Sequence, residues 1–119
     1  MQYMLLIYDD PNAWQELSEG DRNAMMGEYL GYTESLRQAG VYLEGAPLES
    51  TQTATTVRQR DGRQLITDGP FAETREVLGG YYVLECESLD DALAHAGRCP
   101  SARFGSIEVR PIMQTPART

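Results

Sequence analysis

The sequence predicts an α+β domain in which two helices cover one face of an antiparallel sheet. The chain has 119 residues, the size of one domain, and no repeat, low-complexity tract or linker divides it. Its apolar patterns follow the order β-α-β-β-β-β-α-β, and two helices can cover only one face of such a sheet. We therefore predict a single domain over residues 1–119.

The first strand and the first helix have clear boundaries. The segment QYMLLIY, residues 2–8, is apolar enough for a central strand. A helix is predicted over residues 18–40, because Ser18 and Asp21 have the spacing of an N-terminal cap and Gly40 stands where a C-terminal cap is expected.

The middle of the chain predicts an edge strand and a hairpin. Residues 41–50, VYLEGAPLES, contain Gly and Pro and so indicate an irregular or edge strand. Residues 53–60 and 63–67 flank Asp61-Gly62, a pair that tolerates the positive φ angles of a two-residue turn. These two segments are therefore predicted to form a hairpin.

The last third of the chain predicts a strand over residues 79–88, a helix over residues 88–100 capped by Ser88, and a closing strand over residues 106–112. The resulting order is that of a ferredoxin-like split β-α-β fold. The strands carry apolar residues on both alternating faces, which is too much apolar surface to leave exposed. We therefore expect two copies to pair through their sheets as a homodimer.

Composition excludes several classes of function. The net charge is −8, from 10 basic and 18 acidic residues, and no basic stripe compensates for it, which disfavours nucleic-acid binding. The N-terminal apolar run is too short for a signal or membrane segment. Cys86 and Cys99 lack C-x-x-C spacing and indicate reduced thiols, so we expect a cytoplasmic protein without membrane association.

Neither a metal site nor a cofactor site is predicted. The chain contains one histidine, His95, and its acidic pairs are adjacent in sequence, so that their side chains diverge. Gly79-Gly80 precedes a strand and lacks the spacing of a phosphate-binding loop.

The most unusual segment is Asp68-Gly69-Pro70-Phe71. Glycine permits unusual φ angles and proline fixes its own, so this segment predicts a stiff corner with Phe71 as an anchor beneath it. Asp68 is the candidate catalytic residue, as a general base or as the acceptor for a ligand amine or hydroxyl. The alternative is that Asp68 only caps a turn.

The candidate ligand-binding residues are Tyr8, Arg58, Phe71, Glu73, Arg75 and Tyr82. Tyr8 ends the first strand, where clefts are often found, and Arg58 lies within a strand and needs an acidic partner. Glu73 and Arg75 follow the corner and could equally be solvated.

Four segments, YMLLIYDD, TTVRQRDG, TDGPFAETREVLGGYYVLE and IEVRPIM, resemble the DGPF group of YCII-related proteins, from Met1 to about Met113. The resemblance implies a dimeric α/β barrel with a pocket between the sheet, the helices and the partner subunit. Together with the stiff corner, this pocket leads us to predict binding of a small polar or aromatic metabolite, with Asp68 as the candidate for acid–base catalysis. The alternatives are a non-catalytic module associated with an extracytoplasmic-function sigma factor and, by fold analogy, monooxygenase-like chemistry.

Overall fold

The computed structural model describes residues 1–116. The strands are β1 (Gln2–Asp9), β2 (Tyr42–Pro47), β3 (Thr55–Arg60), β4 (Arg63–Asp68), β5 (Val77–Glu85) and β6 (Ser106–Pro111). The helices are α1 (Pro11–Glu16), α2 (Glu19–Gln38) and α3 (Leu89–Gly97).

Four of the strands form one antiparallel sheet in the order β2-β5-β1-β6. α2 connects β1 to β2 and α3 connects β5 to β6, so two β-α-β units interlock around the central pair β1 and β5. This is the ferredoxin-like α+β arrangement, and the predicted fold class is confirmed. Among residues 1–116, no helix is both long and apolar enough to span a bilayer.

The predicted caps form at both long helices. The Ser18 hydroxyl accepts a hydrogen bond from the backbone N–H of Asp21 at 3.1 Å, and the Ser88 hydroxyl accepts one from Asp91 at 3.2 Å. Gly40 follows α2 with a φ of 75°, the left-handed conformation that favours glycine. These contacts satisfy backbone groups that would otherwise lack partners at the helix ends.

The short helix α1 was not predicted. It begins at Pro11, whose fixed φ suits the first helical position, and Asp10 accepts a hydrogen bond from the N–H of Asn12 at 2.9 Å. α1 is six residues long and buries none of them fully, so it has no apolar period from which it could be predicted.

The core lies between the sheet and the helices. Alternate residues of β1, namely Tyr3, Leu5 and Ile7, point to the same side and are buried. They pack with Tyr32, Leu36, Tyr82, Leu84, Ala92 and Ala96 from α2, β5 and α3. Both long helices therefore cover one face of the sheet, as the sequence predicts.

β3 and β4 form a separate two-stranded sheet rather than extending the main one. Their turn has φ angles of 52° at Asp61 and 74° at Gly62, as the Asp-Gly pair predicts. Every residue of β4 is exposed. The radius of gyration is 16.5 Å, larger than the roughly 13–14 Å of a compact chain of this length.

Two glycines inside α2 can be tested for helix stability. A methyl group at Gly27 or Gly31 would meet nothing within 4 Å. We expect Gly27→Ala and Gly31→Ala each to raise the free energy of unfolding by about 0.5–1 kcal/mol, because alanine loses less backbone entropy in a helix. Urea denaturation measures this, and Gly40→Ala should lower stability because its φ is positive. Equal effects at all three positions would contradict the explanation.

Candidate functional site

A cavity of about 530 Å³ opens between the inner face of the sheet, α1, α2 and the segment after β2. Its aromatic walls are formed by Trp14, Tyr29, Tyr42 and Tyr82, and Met26 and Leu30 of α2 add apolar surface. The volume is in the range of small-molecule sites. An apolar, concave site of this kind is the default place to look for ligand binding.

Asp9 is the buried acidic residue of this cavity. It ends β1 on the same face as Ile7, and only 8% of its surface is exposed. The Ser101 hydroxyl donates to its Oδ2 at 3.3 Å. Its Oδ1 is also buried and accepts no hydrogen bond from any residue of the described chain. A buried acceptor without a partner is rare and calls for an explanation.

A glycine makes room for this carboxyl. A β-carbon at Gly105 would lie 2.6 Å from Oδ1 of Asp9 and would also meet the backbone oxygen of Tyr8, so no larger residue fits there. On the other side, the register between β1 and β5 shifts after Ile7, which leaves Gly79 beside Oδ2. The backbone is therefore shaped around the Asp9 side chain.

Burial raises the pKa of Asp9 above its ordinary value, because the charged form loses water. The hydrogen bond from Ser101 opposes this shift, and the nearby charge of Glu76 adds to it. The indole N–H of Trp14 also lies close enough to oppose the shift, more weakly than Ser101, but it does not meet the geometry of a hydrogen bond to Asp9. The result is a carboxyl that holds its proton to a higher pH than a solvated one. A general acid–base group requires a shift in this direction.

Tyr29 connects the cavity wall to Asp9 through Ser101. The Tyr29 hydroxyl hydrogen-bonds the Ser101 hydroxyl and lies 3.6 Å from the Cys99 sulfur. Burial raises the pKa of Tyr29 far above its usual value, so the phenol keeps its proton. Tyr29, Ser101 and Asp9 thus form a continuous hydrogen-bonded chain.

The turn that carries Ser101 is fixed to α2. It is the 3₁₀ turn Pro100–Arg103, and the Arg103 guanidinium donates to both carboxylate oxygens of Glu28, at 3.1 and 2.7 Å. Paired bonds of this type hold geometry well. Ser101 itself is fully buried, so its hydroxyl has a defined position.

Of the residues predicted from the sequence, Tyr82 lines the cavity. Its hydroxyl hydrogen-bonds the Thr33 hydroxyl at 2.7 Å, and its ring packs edge-on against Tyr32 and Tyr42. Tyr82 therefore belongs to both the cavity wall and the core.

Tyr8 and Arg58 lie elsewhere. Tyr8 points to the opposite face of the sheet from Asp9, and its hydroxyl donates to Glu108 at 3.3 Å. Arg58 donates to the backbone oxygen of Phe71 at 3.3 Å, which ties the hairpin to the following segment. Neither side chain lines the cavity of the single chain.

Asp68 ends β4 opposite Thr55 and is exposed. Gly69 has a φ of 103°, so the predicted corner forms, but Phe71 is 78% exposed and the expectation that it anchors the corner is wrong.

Glu73 is exposed, and Arg75 lies 3.8 Å from the Asp10 carboxylate. Asp68, Phe71, Glu73 and Arg75 are absent from the cavity wall of the single chain. Their roles toward a ligand stay predictions.

His95 does not pair with Asp91, although both lie on α3. Its ring nitrogen Nδ1 contacts the guanidinium of Arg98 instead. Burial and this positive neighbour lower the pKa of His95. Within residues 1–116, no three metal-binding side chains converge into a metal site.

Sequence reasoning missed the role of Asp9, Trp14 and Tyr29. Asp9 continues the odd-numbered series Tyr3, Leu5 and Ile7 onto the helix-covered face, so strict alternation along β1 would have identified it. Trp14 could not be found in this way, because it lies on the unpredicted helix α1.

Fold and cavity together define a ferredoxin-like protein with a small-molecule-sized pocket on the helical side of its sheet. Comparison with known proteins gives the family: residues 1–116 match the YCII-related domain, and the chain belongs to that family. An uncharacterized protein of Rhizobium meliloti (strain 1021) is 36% identical over 114 residues, covering 94% of this chain and 92% of that protein.

A solved structure supports the fold. It is 5-chloro-2-hydroxyhydroquinone dehydrochlorinase (TftG) from Burkholderia phenoliruptrix AC1100, in complex with 2,5-dihydroxybenzoquinone. The TM-score is 0.57 at 17% sequence identity, covering 97% of this chain and 96% of that one. The similarity is consistent with the fold of the dimeric α/β barrels.

The pKa of Asp9 predicts a pH dependence of stability. Because its folded-state pKa is raised above 3.8, the folded protein binds the proton more tightly, and stability falls as pH rises from 3.8 through the folded-state pKa. The asparagine of Asp9→Asn does not titrate. We therefore expect the free energy of unfolding of this variant, relative to that of wild type, to increase between pH 3.8 and the folded-state pKa of Asp9 and then to level off. Urea denaturation at a series of pH values measures this.

Ser101→Ala serves as the matched variant for that experiment. It removes the hydrogen bond that lowers the pKa of Asp9, so the fall in stability with pH should extend to higher pH than in wild type. Parallel pH profiles for wild type and Asp9→Asn would show that Asp9 is not desolvated.

Proposed function

We propose that the protein binds a small, largely apolar molecule in the cavity and that the Asp9 carboxyl exchanges a proton with it. The observation that carries this proposal is a buried carboxyl on the wall of an aromatic cavity, with one oxygen lacking any hydrogen-bond partner among the described residues. A structural aspartate would be expected to have both oxygens satisfied.

The hydrogen-bonded chain supports acid–base work. Ser101 donates to one carboxyl oxygen of Asp9, and its own hydroxyl is held by Tyr29. Asp9 is thereby kept in one orientation and its pKa is moved toward neutrality, which brings a carboxyl closer to the working range of a general acid or base. The neighbour TftG, whose name describes an enzyme and whose structure holds a small ring compound, is compatible with this proposal.

Toluene is a suitable first probe, because it tests occupancy of the cavity without any polar requirement. Trp14 is the chain's one tryptophan and lies on the cavity wall, so its fluorescence reports binding there. We expect toluene to change Trp14 emission and to raise the thermal midpoint of unfolding. Leu30→Phe, at the exposed rim, should weaken toluene binding by narrowing the mouth of the cavity, and it leaves Trp14 as the one tryptophan.

Asp9→Asn and Asp68→Asn then separate the two candidate catalytic residues. Turnover of a panel of hydroxylated aromatics, followed by mass spectrometry, should be lost in Asp9→Asn and kept in Asp90→Asn, an exposed control on α3. Loss in Asp68→Asn with full activity in Asp9→Asn would instead favour the corner predicted from the sequence. No binding and no turnover in wild type would favour the sigma-factor-associated module.

We also propose the homodimer that the resemblance implies. The face of the sheet opposite the helices carries Met4, Leu6 and Tyr81 and has no covering layer in the described chain, and the hairpin exposes Val57 and Ile66. Apolar surface of this extent supports pairing between copies. Sedimentation equilibrium at micromolar concentration should give twice the mass of one chain. A single-chain mass would contradict the dimer.

The predicted cytoplasmic location is part of the same proposal. Cys86 and Cys99 are both buried as free thiols, which is the usual state in a reducing compartment.

A further inference from the structure

We propose that the cavity selects aromatic molecules that carry a hydroxyl or amino hydrogen-bond donor and no negative charge. This inference rests on the proposed function and defines its ligand class. It follows from three features of the cavity wall: its charges, the carboxyl of Asp9 as a hydrogen-bond acceptor, and its rings.

The charges of the wall are all of one sign. The lining side chains include the carboxyls of Asp9 and Glu49, and within residues 1–116 no arginine or histidine lines the cavity. Arg75 lies near the start of α1, but its guanidinium is 3.8 Å from the Asp10 carboxylate and its side chain is almost fully exposed. A carboxylate or phosphate ligand would therefore lose its hydration without gaining a cationic partner, which is unfavourable in an apolar site.

The Asp9 carboxyl can accept a hydrogen bond from a donor group on the ligand. Oδ1 of Asp9 is buried without a partner, while Oδ2 already accepts from Ser101. Oδ2 lies beside Gly79, which also lines the cavity, so it is the oxygen that a ligand can approach. A carboxylate oxygen has two lone pairs, so Oδ2 can accept a hydrogen bond from the ligand in addition to the one from Ser101. A ligand without a donor would take water away from Oδ2 without replacing its hydrogen bond, and this desolvation costs affinity.

The rings favour an aromatic partner. Trp14, Tyr29 and Tyr82 lie on different elements, α1, α2 and β5, and together line the same space. Aromatic side chains contact ring ligands through offset or edge-on packing, and their faces also attract cationic amines. Both a phenol and a benzylamine therefore fit the site, and experiment can distinguish them.

The test uses ligands that share one ring and differ in a single substituent. 4-Methylphenol carries a neutral donor, 4-methylbenzylamine a cationic donor, 4-methylanisole no donor, and 4-methylbenzoate a negative charge. Binding is followed by Trp14 fluorescence and by calorimetry on the full chain. We expect 4-methylphenol to bind about tenfold more tightly than 4-methylanisole, and 4-methylbenzoate to bind more weakly than either. Tighter binding of 4-methylbenzylamine than of 4-methylphenol would identify a cationic ligand, and the reverse order a hydroxylated one.

Variants of Asp9 and Asp90 test whether the preference for a hydrogen-bond donor depends on the Asp9 carboxyl. Asp9→Ala should reduce the ratio of 4-methylphenol to 4-methylanisole affinity to about one, because the acceptor is gone, whereas Asp90→Asn should keep the wild-type ratio. The affinities of the wild-type protein for the four ligands test the proposed ligand class even if Asp9→Ala does not fold. Equal binding of the phenol, anisole and benzoate would overturn the ligand class but leave small-molecule binding intact. Failure of toluene and all four ligands to bind would overturn the proposed function as well.

Discussion

The desolvation of one carboxyl at the end of the central strand constrains much of what surrounds it. Asp9 occupies a position that β1 otherwise fills with apolar side chains, so the neighbouring backbone must come close without a side chain of its own. Gly105 provides that room from the turn before β6. A buried acid costs stability unless it is compensated, and Ser101 compensates only one oxygen. The burial of Asp9 therefore lowers the stability of the fold.

The same residues connect the cavity to the core. Tyr82 packs against Tyr32 in the core and also forms part of the cavity wall, and its hydroxyl is held by Thr33 of α2. The Arg103–Glu28 pair holds the turn of Ser101 against the same helix. Because α2 contributes to all three contacts, the packing of one helix on the sheet determines the shape of the cavity. Rigid support of this kind is what a preorganised site requires.

The fold could be predicted from the sequence because its elements carry independent local markers. Ser18 and Ser88 cap their helices, and Asp61-Gly62 forms the turn of the hairpin. It was harder to predict from the sequence which side chains come together at the site. Tyr8 and Asp9 are adjacent at a strand end, and only the period of two decides that Asp9 faces the helices. Asp68 was predicted as a site residue because of the glycine, proline and phenylalanine that follow it. Those residues shape a bend after an exposed strand. The sequence has no marker for the direction in which a hairpin projects.

The shortness of α1 has a kinetic consequence. A helix of six residues that buries none of them fully cannot be stable alone, and its opening costs far less free energy than unfolding of the sheet. This helix nevertheless carries Trp14 and closes one side of the cavity. If the cavity binds a small molecule as proposed, local opening of α1 would provide a route in and out of it that leaves β1, and with it Asp9, in place.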